Sequence, residues 1–402
     1  MSSSELTWNS IESLYNWVKN ENFYGWDPYD ALNSRLIEKV CMGSRLLEIL
    51  AIQSNKYSVV NLRPFFNVKK GIDVKGMSLF AQAFPKLYRI TNDEKYKKDA
   101  VDAILFLKDR SLKNIYGYDC WAGHYYKYTG AGNEKLSSNL ADIITTSNVI
   151  KATVDNYRIF KEESFCDMGR SAYNFLVNCL LRKTEKEGDY YFSYEPSYES
   201  RIVINASAEG LSSICKLMYL FKDNKMEQIA YDISQFLIKN QEDDGSWIYS
   251  KFNGKTRQQL DFHQGFILDS LNEYLPFANN DNHRSKVISC LEKGAEFYRR
   301  NQFLYDGRCH FRYPRLYPID IHNQAQGIIT FSKLSSLNKE YLDFAGKIAN
   351  WTIKNMQDGS GYFYYHNYNL FSNKTPHMRW GQAWMMLALS TYLEKLYCDR
   401  YD

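Results

Sequence analysis

Six times along the 402-residue chain a small residue, Gly76, Ser147, Gly210, Gly265, Gly327 or Gly381, is followed by an apolar helical run, at intervals of 54 to 71 residues. Recurrence at this spacing marks an array of similar supersecondary units, none of which can bury its own apolar surface alone. The runs, such as Gly210-Leu-Ser-Ser-Ile-Cys-Lys-Leu-Met and Gly381-Gln-Ala-Trp-Met-Met-Leu-Ala-Leu, are apolar over most of their circumference, which predicts buried helices.

Each run is preceded by a second, amphipathic helix. In 94–110 the residues Tyr96, Ala100, Ala103, Ile104 and Leu107 share one face, the spacing of a helix that covers a core from outside. Comparable outer helices are expected over 31–51, 166–182, 226–240, 284–301 and 339–356. Six outer and six inner helices in alternation, with no polar capping face on the first or last unit, predict closure into a ring. The expected fold is all-α, an (α/α)6 toroid of six outer/inner helix pairs. No Pro/Gly/Ser-rich linker or low-complexity tract divides the chain, so a single toroid domain over 1–402 is expected.

The outer helices run into loops with alternating aromatics, among them Gln241-Glu-Asp-Asp-Gly-Ser-Trp-Ile-Tyr, Gln357-Asp-Gly-Ser-Gly-Tyr-Phe-Tyr-Tyr and Gly117-Tyr-Asp-Cys-Trp-Ala-Gly-His-Tyr-Tyr. Asp-Gly stops a helix and starts a turn, and the alternation that follows reads as a short β-hairpin strand. These loops gather at the end of the ring that holds the N-termini of the inner helices. The chain is 16% aromatic with 33 Tyr, and aromatics placed in loops point to a ligand surface.

The net charge of +4, from 50 basic and 46 acidic residues spread along the chain, excludes a dedicated nucleic-acid protein and gives no sign of an anionic membrane partner. The N-terminus lacks the pattern of a secretory signal and no stretch of 18 apolar residues occurs, so a cytoplasmic protein without membrane insertion is expected. Eight dispersed cysteines without a Cys-x-x-Cys pair read as free thiols. No outer helix is apolar enough to require an oligomer, and no cofactor or metal motif is present.

Polar residues concentrate where the inner helices begin. Asp261-Phe-His263 and Asp320-Ile-His322 open consecutive inner helices with the same spacing, Asn205 opens the third, and His377-Met-Arg379-Trp380 opens the sixth. Asp and Asn are natural N-caps, whereas His is a poor one, so a repeated His there is harder to explain by capping. Near the same rim lie Trp26-Asp27-Pro-Tyr-Asp30, with Asp30 as an N-cap, and Asn61-Leu-Arg63-Pro, whose cation belongs to no amphipathic face. Glu195 sits in the aromatic run Tyr190 to Tyr198, where desolvation is expected to raise its pKa. The segment Gln241 to Trp247 fits the Gln-x3-Gly-x-Trp repeat of triterpene cyclases, but neither acidic motif of those enzymes occurs, which favours a helix stop with a packed Trp247.

The pattern resembles the six-hairpin toroid enzymes, a superfamily of glycoside hydrolases, unsaturated glucuronyl hydrolases, some polysaccharide lyases and the N-acylglucosamine 2-epimerases. The resemblance covers nearly the whole chain and is architectural. More closely, Trp26-Asp-Pro-Tyr-Asp, Asn61-Leu-Arg-Pro, Asp261-Phe-His-Gln-Gly and Tyr317-Pro-Ile-Asp-Ile-His look like an uncharacterised family encoded among bacterial surface-polysaccharide genes. Some of its members carry the label δ-aminolevulinic acid dehydratase, which does not suit this chain because that enzyme is a TIM barrel and no β/α alternation is present.

Such a resemblance implies sugar chemistry on a carbohydrate ligand without naming the reaction. A glycosidase would use two carboxylates, Asp261 and Asp320, with Glu195 or Asp27 in reserve, and would stack sugar faces on Trp121, Trp247 and Trp380. An epimerase or uronate lyase would use His263 and His322 as acid and base, with Arg63 or Arg379 holding a carboxylate or an enolate. A third reading is a glycan-binding protein that retains the toroid without the chemistry.

Overall fold

The computed structural model describes residues 3–123, 128–129, 135–136, 139–184, 188–196 and 201–397. Through these run α1 (Ser3–Asn20), α2 (Arg35–Cys41), α3 (Arg45–Tyr57), α4 (Val74–Thr91), α5 (Glu94–Asp109), α6 (Lys113–Tyr116), α7 (Ile143–Phe160) and α8 (Glu163–Phe175). They continue as α9 (Ile204–Met218), α10 (Asn224–Lys239), α11 (His263–Tyr274), α12 (Asp281–Gln302), α13 (Ile321–Leu334), α14 (Glu340–Met356) and α15 (Trp384–Tyr397), the last preceded by a π-helical stretch, Met378–Ala383.

The six apolar runs are α4, α7, α9, α11, α13 and α15. Each packs on the next and α15 packs back on α4, so the inner layer is a closed ring. Helices α5, α8, α10, α12 and α14 lie against the inner helix that each follows. Closure leaves no terminal unit with an exposed apolar face, which is why no polar caps are needed.

The first outer helix is not where the sequence pattern put it. The sixth outer position is filled by α1, whose Ile11, Leu14, Tyr15 and Val18 are buried at helical spacing against α14 and α15. The segment expected as an outer helix, 31–51, is instead a one-turn 3-10 helix followed by α2 and α3, broken at Met42 in the left-handed region (φ 46°). It forms an excursion over the ring mouth with its own small core of Ala31, Leu32 and Ile52. The outer helix expected over 166–182 is also shorter than the pattern suggested, because the chain passes through a π-helical turn into a strand at Leu181–Lys183.

A recurring joint ties each loop to the next inner helix. The backbone N–H groups of Trp121, Phe192, Trp247, Cys309 and Phe363 donate to the side chains of Thr146, Ser207, Gln264, Gln324 and Gln382, at 2.7 to 3.2 Å. At two of the inner runs the opening glycine gives the joint its space: a Cβ would lie 2.5 Å from the Phe192 ring at Gly210 and 2.3 Å from the Phe303 ring at Gly327. Short hairpins then link neighbouring units at the mouth, Ile202–Val203 pairing with Ser250–Phe252 and Ile319–Asp320 with His366–Asn367. The N-termini of the inner helices, three of them capped by Asp73, Asp142 and Asp320, converge on one basin.

Candidate active site

That basin is a cavity of about 820 Å³. Of the residues expected at the site, Asp261, His263, Asp320, His322, Glu195, Asn205, Arg379 and Trp380 line it.

Asp261 and Asp320 occupy equivalent places and have different surroundings. Asp320 is the N-cap of α13, its Oδ1 accepting the N–H groups of His322 (2.8 Å) and Asn323 (3.3 Å). Its Oδ2 faces His366 Nε2 at 2.9 Å and the Trp380 indole N–H at 3.2 Å, so the buried carboxylate is fully engaged. Asp261 Oδ1 lies 2.5 Å from His263 Nδ1, while its Oδ2 accepts from Gln259 Nε2 (2.8 Å) and faces Arg312 Nε at 3.6 Å. A carboxylate bound to Nδ1 fixes the tautomer that leaves Nε2 as the basic nitrogen.

His322 is buried, yet neither ring nitrogen has a protein partner. Its ring stacks between Phe262 (4.0 Å) and Trp384 (4.5 Å), and Phe262 also stacks on His263 at 4.2 Å. The two imidazoles are thus separated by one phenyl ring. Burial, reinforced by Lys75, Arg379 and His263, pushes the His322 pKa well below the usual histidine value, so the ring is neutral. Asn205 stands one residue inside α9 rather than capping it, and its buried Oδ1 is without a partner. Glu195 lies on the wall, partly exposed; Tyr198, from the same aromatic run, and His124, Tyr125 and Tyr126 lie outside the described residues.

Several expected ligand residues are structural instead. Asp27 lies beneath the cavity, its Oδ2 accepting from Arg379 Nε (2.8 Å) and Nη2 (2.7 Å). Arg63 is buried on Asp30 at 2.9 Å and on the Asp27 carbonyl at 2.8 Å. Asp30 is therefore half of an ion pair, and its side chain does not cap the following helix. Burial outweighs the Arg63 charge and raises its pKa to about 6. These pairs clamp the 31–57 excursion to the ring. Trp121 and Trp247 are fully buried, their indole N–H groups donating to the carbonyls of Leu107 (2.7 Å) and Leu237 (2.9 Å), so neither has a face to offer a sugar. His377 is buried against Tyr365 at 4.6 Å, and burial and Arg63 depress its pKa.

The structure adds residues that the sequence did not single out. Lys75, next to the repeat glycine of α4, lines the floor below Trp384 (5.5 Å to the ring), and burial together with Arg379 lowers its pKa to about 8. A cation at the N-terminus of a helix is also opposed by the helix dipole. Asp73, the N-cap of α4, lies 3.6 Å from Arg379, and burial lifts its pKa to about 7 against that charge. Tyr29 and Lys56 reach the wall from the excursion, hydrogen-bonded at 2.7 Å. The lining carries seven Lys and Arg side chains against three carboxylates, a surplus that favours a ligand bearing or developing negative charge.

No family model matches the sequence, and no curated protein matches it. Solved structures match along most of the chain. A cellobiose 2-epimerase from Bacillus thermoamylovorans has a TM-score of 0.66 at 13% identity, covering 96% of this chain and 99% of its own. An unsaturated glucuronyl hydrolase specific for heparin has a TM-score of 0.64 at 12% identity, covering 100% and 98%. The GH76 α-mannanase of Bacteroides thetaiotaomicron has a TM-score of 0.61 at 13% identity, covering 82% and 87%. At these identities the likeness is one of fold: the chain is an (α/α)6 toroid of the kind found among carbohydrate-active enzymes.

Proposed function

We propose that the protein is a carbohydrate-active enzyme that moves a proton on a sugar, as an epimerase, isomerase or lyase does. The observation that carries this reading is the contrast between the two Asp-x-His pairs: Asp261 orients His263 at 2.5 Å, while both ring nitrogens of the neutral, buried His322 lack a protein partner. In the proposed reaction His263 Nε2 takes a proton from a carbon next to a carbonyl, giving an imidazolium beside Asp261 and an enolate, and the imidazolium or solvent returns a proton to the enolate. Lys75, protonated below about pH 8, holds the oxygen on which charge develops. Arg379 and Asn205 complete the polar floor, and Trp380 offers apolar surface to the sugar ring. A resemblance to cellobiose 2-epimerase along 96% of the chain supports the same reading.

Hydrolysis is the second reading, favoured by two cavity carboxylates, Asp261 and Glu195, and by structural likeness to glycoside hydrolases. Asp320 is held at the entry to α13 by two backbone N–H groups, an indole and an imidazole, and Asp261 is itself held by the His263 N–H and ring, Gln259 and Arg312. The likeness of the Trp26 to Asp30, Asn61 to Pro64 and Tyr317 to His322 segments to a family from surface-polysaccharide gene clusters supports a small or activated glycan of that metabolism as substrate.

The deciding experiment incubates the protein in deuterium oxide with mono- and disaccharides and uronates, and reads carbon-bound deuterium by mass spectrometry. Incorporation that is lost in His263→Asn supports proton transfer. Release of reducing sugar without incorporation would assign hydrolysis, and binding with neither would leave a glycan-binding protein.

A further inference from the structure

Helix α3 has its polarity inverted. Glu48, Ile52 and Asn55 are buried on one face, while Leu46 (68% exposed), Leu50 (52%) and Tyr57, at intervals of four and seven, share the opposite face and point outward with Leu47. Helix α2, which packs on α3, exposes Leu36 and Val40 on one row, and Met42 at the turn between the helices is 83% exposed. Val59, Val60, Phe65 and Phe66 continue the exposed apolar surface, and Asn373, bonded to the Ser58 carbonyl at 2.8 Å, belongs to a hairpin that exposes Leu370 and Phe371. An apolar surface of this extent marks an interaction site.

The charges around it identify the occupant. Between residues 35 and 70 the exposed ionic side chains are Arg35, Lys39, Arg45, Lys69 and Lys70, with Glu38 as the single exposed carboxylate, and of the cations Lys70 is paired with Glu21. Arg35 and Lys39 form a row on α2 beside the Leu36 and Val40 row. Arg35 and Lys69 also line a separate cleft of about 130 Å³ with Asn33, Leu36 and Asn67, a donor set without a carboxylate. A symmetric contact between two copies would set these cations against themselves. Apolar side chains beside a basic row, with an anion-sized cleft between them, are the composition of an element that lies in a bilayer interface.

We propose that the α2–α3 excursion is a membrane-docking element, with Leu46, Leu50 and Met42 seated at the acyl boundary of an anionic bilayer and a lipid phosphate held by Arg35 and Lys69. The inner side of the same excursion carries Tyr29 and Lys56 to the cavity wall, so docking would set the cavity mouth close to the bilayer. This proposal does not depend on which reaction the cavity performs, and it is compatible with the finding that no helix among the described residues is long and apolar enough to cross a membrane.

Flotation of the full chain with vesicles tests it, using phosphatidylcholine alone and phosphatidylcholine mixed with phosphatidylglycerol in equal parts. Binding is expected only to the mixed vesicles, weakening as salt is raised. It should fall roughly tenfold or more in Leu46→Asp/Leu50→Asp and in Arg35→Glu/Lys69→Glu, and remain in Leu105→Asp, which alters an exposed leucine on α5. Thermal melting checks that each variant is folded; should the double Asp variant not fold, the charge variant and Met42→Asp carry the test. Absence of vesicle binding, or equal binding by all variants, would overturn the proposal. So would a wild-type dimer that Leu46→Asp/Leu50→Asp abolishes, which would assign the surface to a second copy. Inorganic phosphate bound at Arg35 and Lys69 without vesicle binding would reduce the cleft to a free-anion site and equally overturn it.

Discussion

At the scale of single residues, the kind of donor separates Asp320 from Asp261, which is itself reached by the His263 N–H (3.3 Å), Gln259 and Arg312 as well as by the imidazole. Asp320 receives two backbone N–H groups, an indole and an imidazole and so holds the entry to α13 rigid, while Asp261 directs its short contact at His263. Asp261→Asn, which removes the carboxylate that orients the ring, is expected to lower kcat by roughly 100-fold or more with KM little changed, as measured by steady-state kinetics. Lys75 makes a pH prediction. Its folded pKa of about 8 lies below the ordinary lysine value, so the cation needed for an oxyanion is lost as pH rises through about 8. Activity should fall across that range, and Lys75→Met should show low activity without that limb. A single chain could not single out Lys75, because a lysine beside a helix-opening glycine reads as a solvated charge until the ring folds it inward. Trp247 is packed as its Gln-x3-Gly-x-Trp setting favoured, whereas nothing in the sequence around Trp121 distinguishes an indole in a loop from one wedged under a helix end.

At the scale of elements, glycines in the turns after the outer helices act as joints between layers. Gly361 has φ +111°, and a Cβ there would lie 2.3 Å from the carbonyl oxygen of Ser13 in α1. Neither the conformation nor the space admits a side chain, so Gly361→Ala is expected to destabilise the fold by roughly 2–4 kcal/mol in denaturant unfolding, whereas Gly359→Ala, with open space around it, should change little. The same joint explains why α1 completes the ring. Its Ile11, Leu14, Tyr15 and Val18 follow the outer-helix pattern, yet 31–51, longer and placed directly before the first inner helix, competes for the same role in the sequence. The contest is settled by Met42, by the buried Asp30–Arg63 pair and by the outward polarity of α3, and spacing reveals none of these.

Across the whole molecule, ion pairs link neighbouring inner helices below the cavity. Lys86 reaches Glu394 at 2.7 Å, Lys151 reaches Glu209 at 2.7 Å, Lys216 reaches Asp155 at 2.8 Å, and Lys333 bridges Asp269 at 3.1 Å and Glu273 at 2.9 Å. Burial alone would raise the Glu273 pKa, but Lys333, Lys216 and Lys151 outweigh it and hold the group at about 2. A depressed acid stabilises the fold above its unfolded pKa of about 4.5 and ceases to do so as pH falls toward 2. Wild type should therefore exceed Glu273→Gln in stability by roughly 3 kcal/mol near neutrality, a difference that shrinks through that acid window in pH-dependent unfolding.

The sequence by itself determined the toroid, because six apolar runs with a small residue at each entry and amphipathic partners leave no other way to bury their faces. It also determined that Asp261, His263, Asp320 and His322 meet at one rim, since they sit at equivalent points of a repeat. Only the tertiary structure decided which donors hold each carboxylate and which lysine lies in the cavity. Those outcomes depend on contacts between units far apart in the chain, and a residue's neighbours across the ring are set by closure, not by its neighbours in sequence.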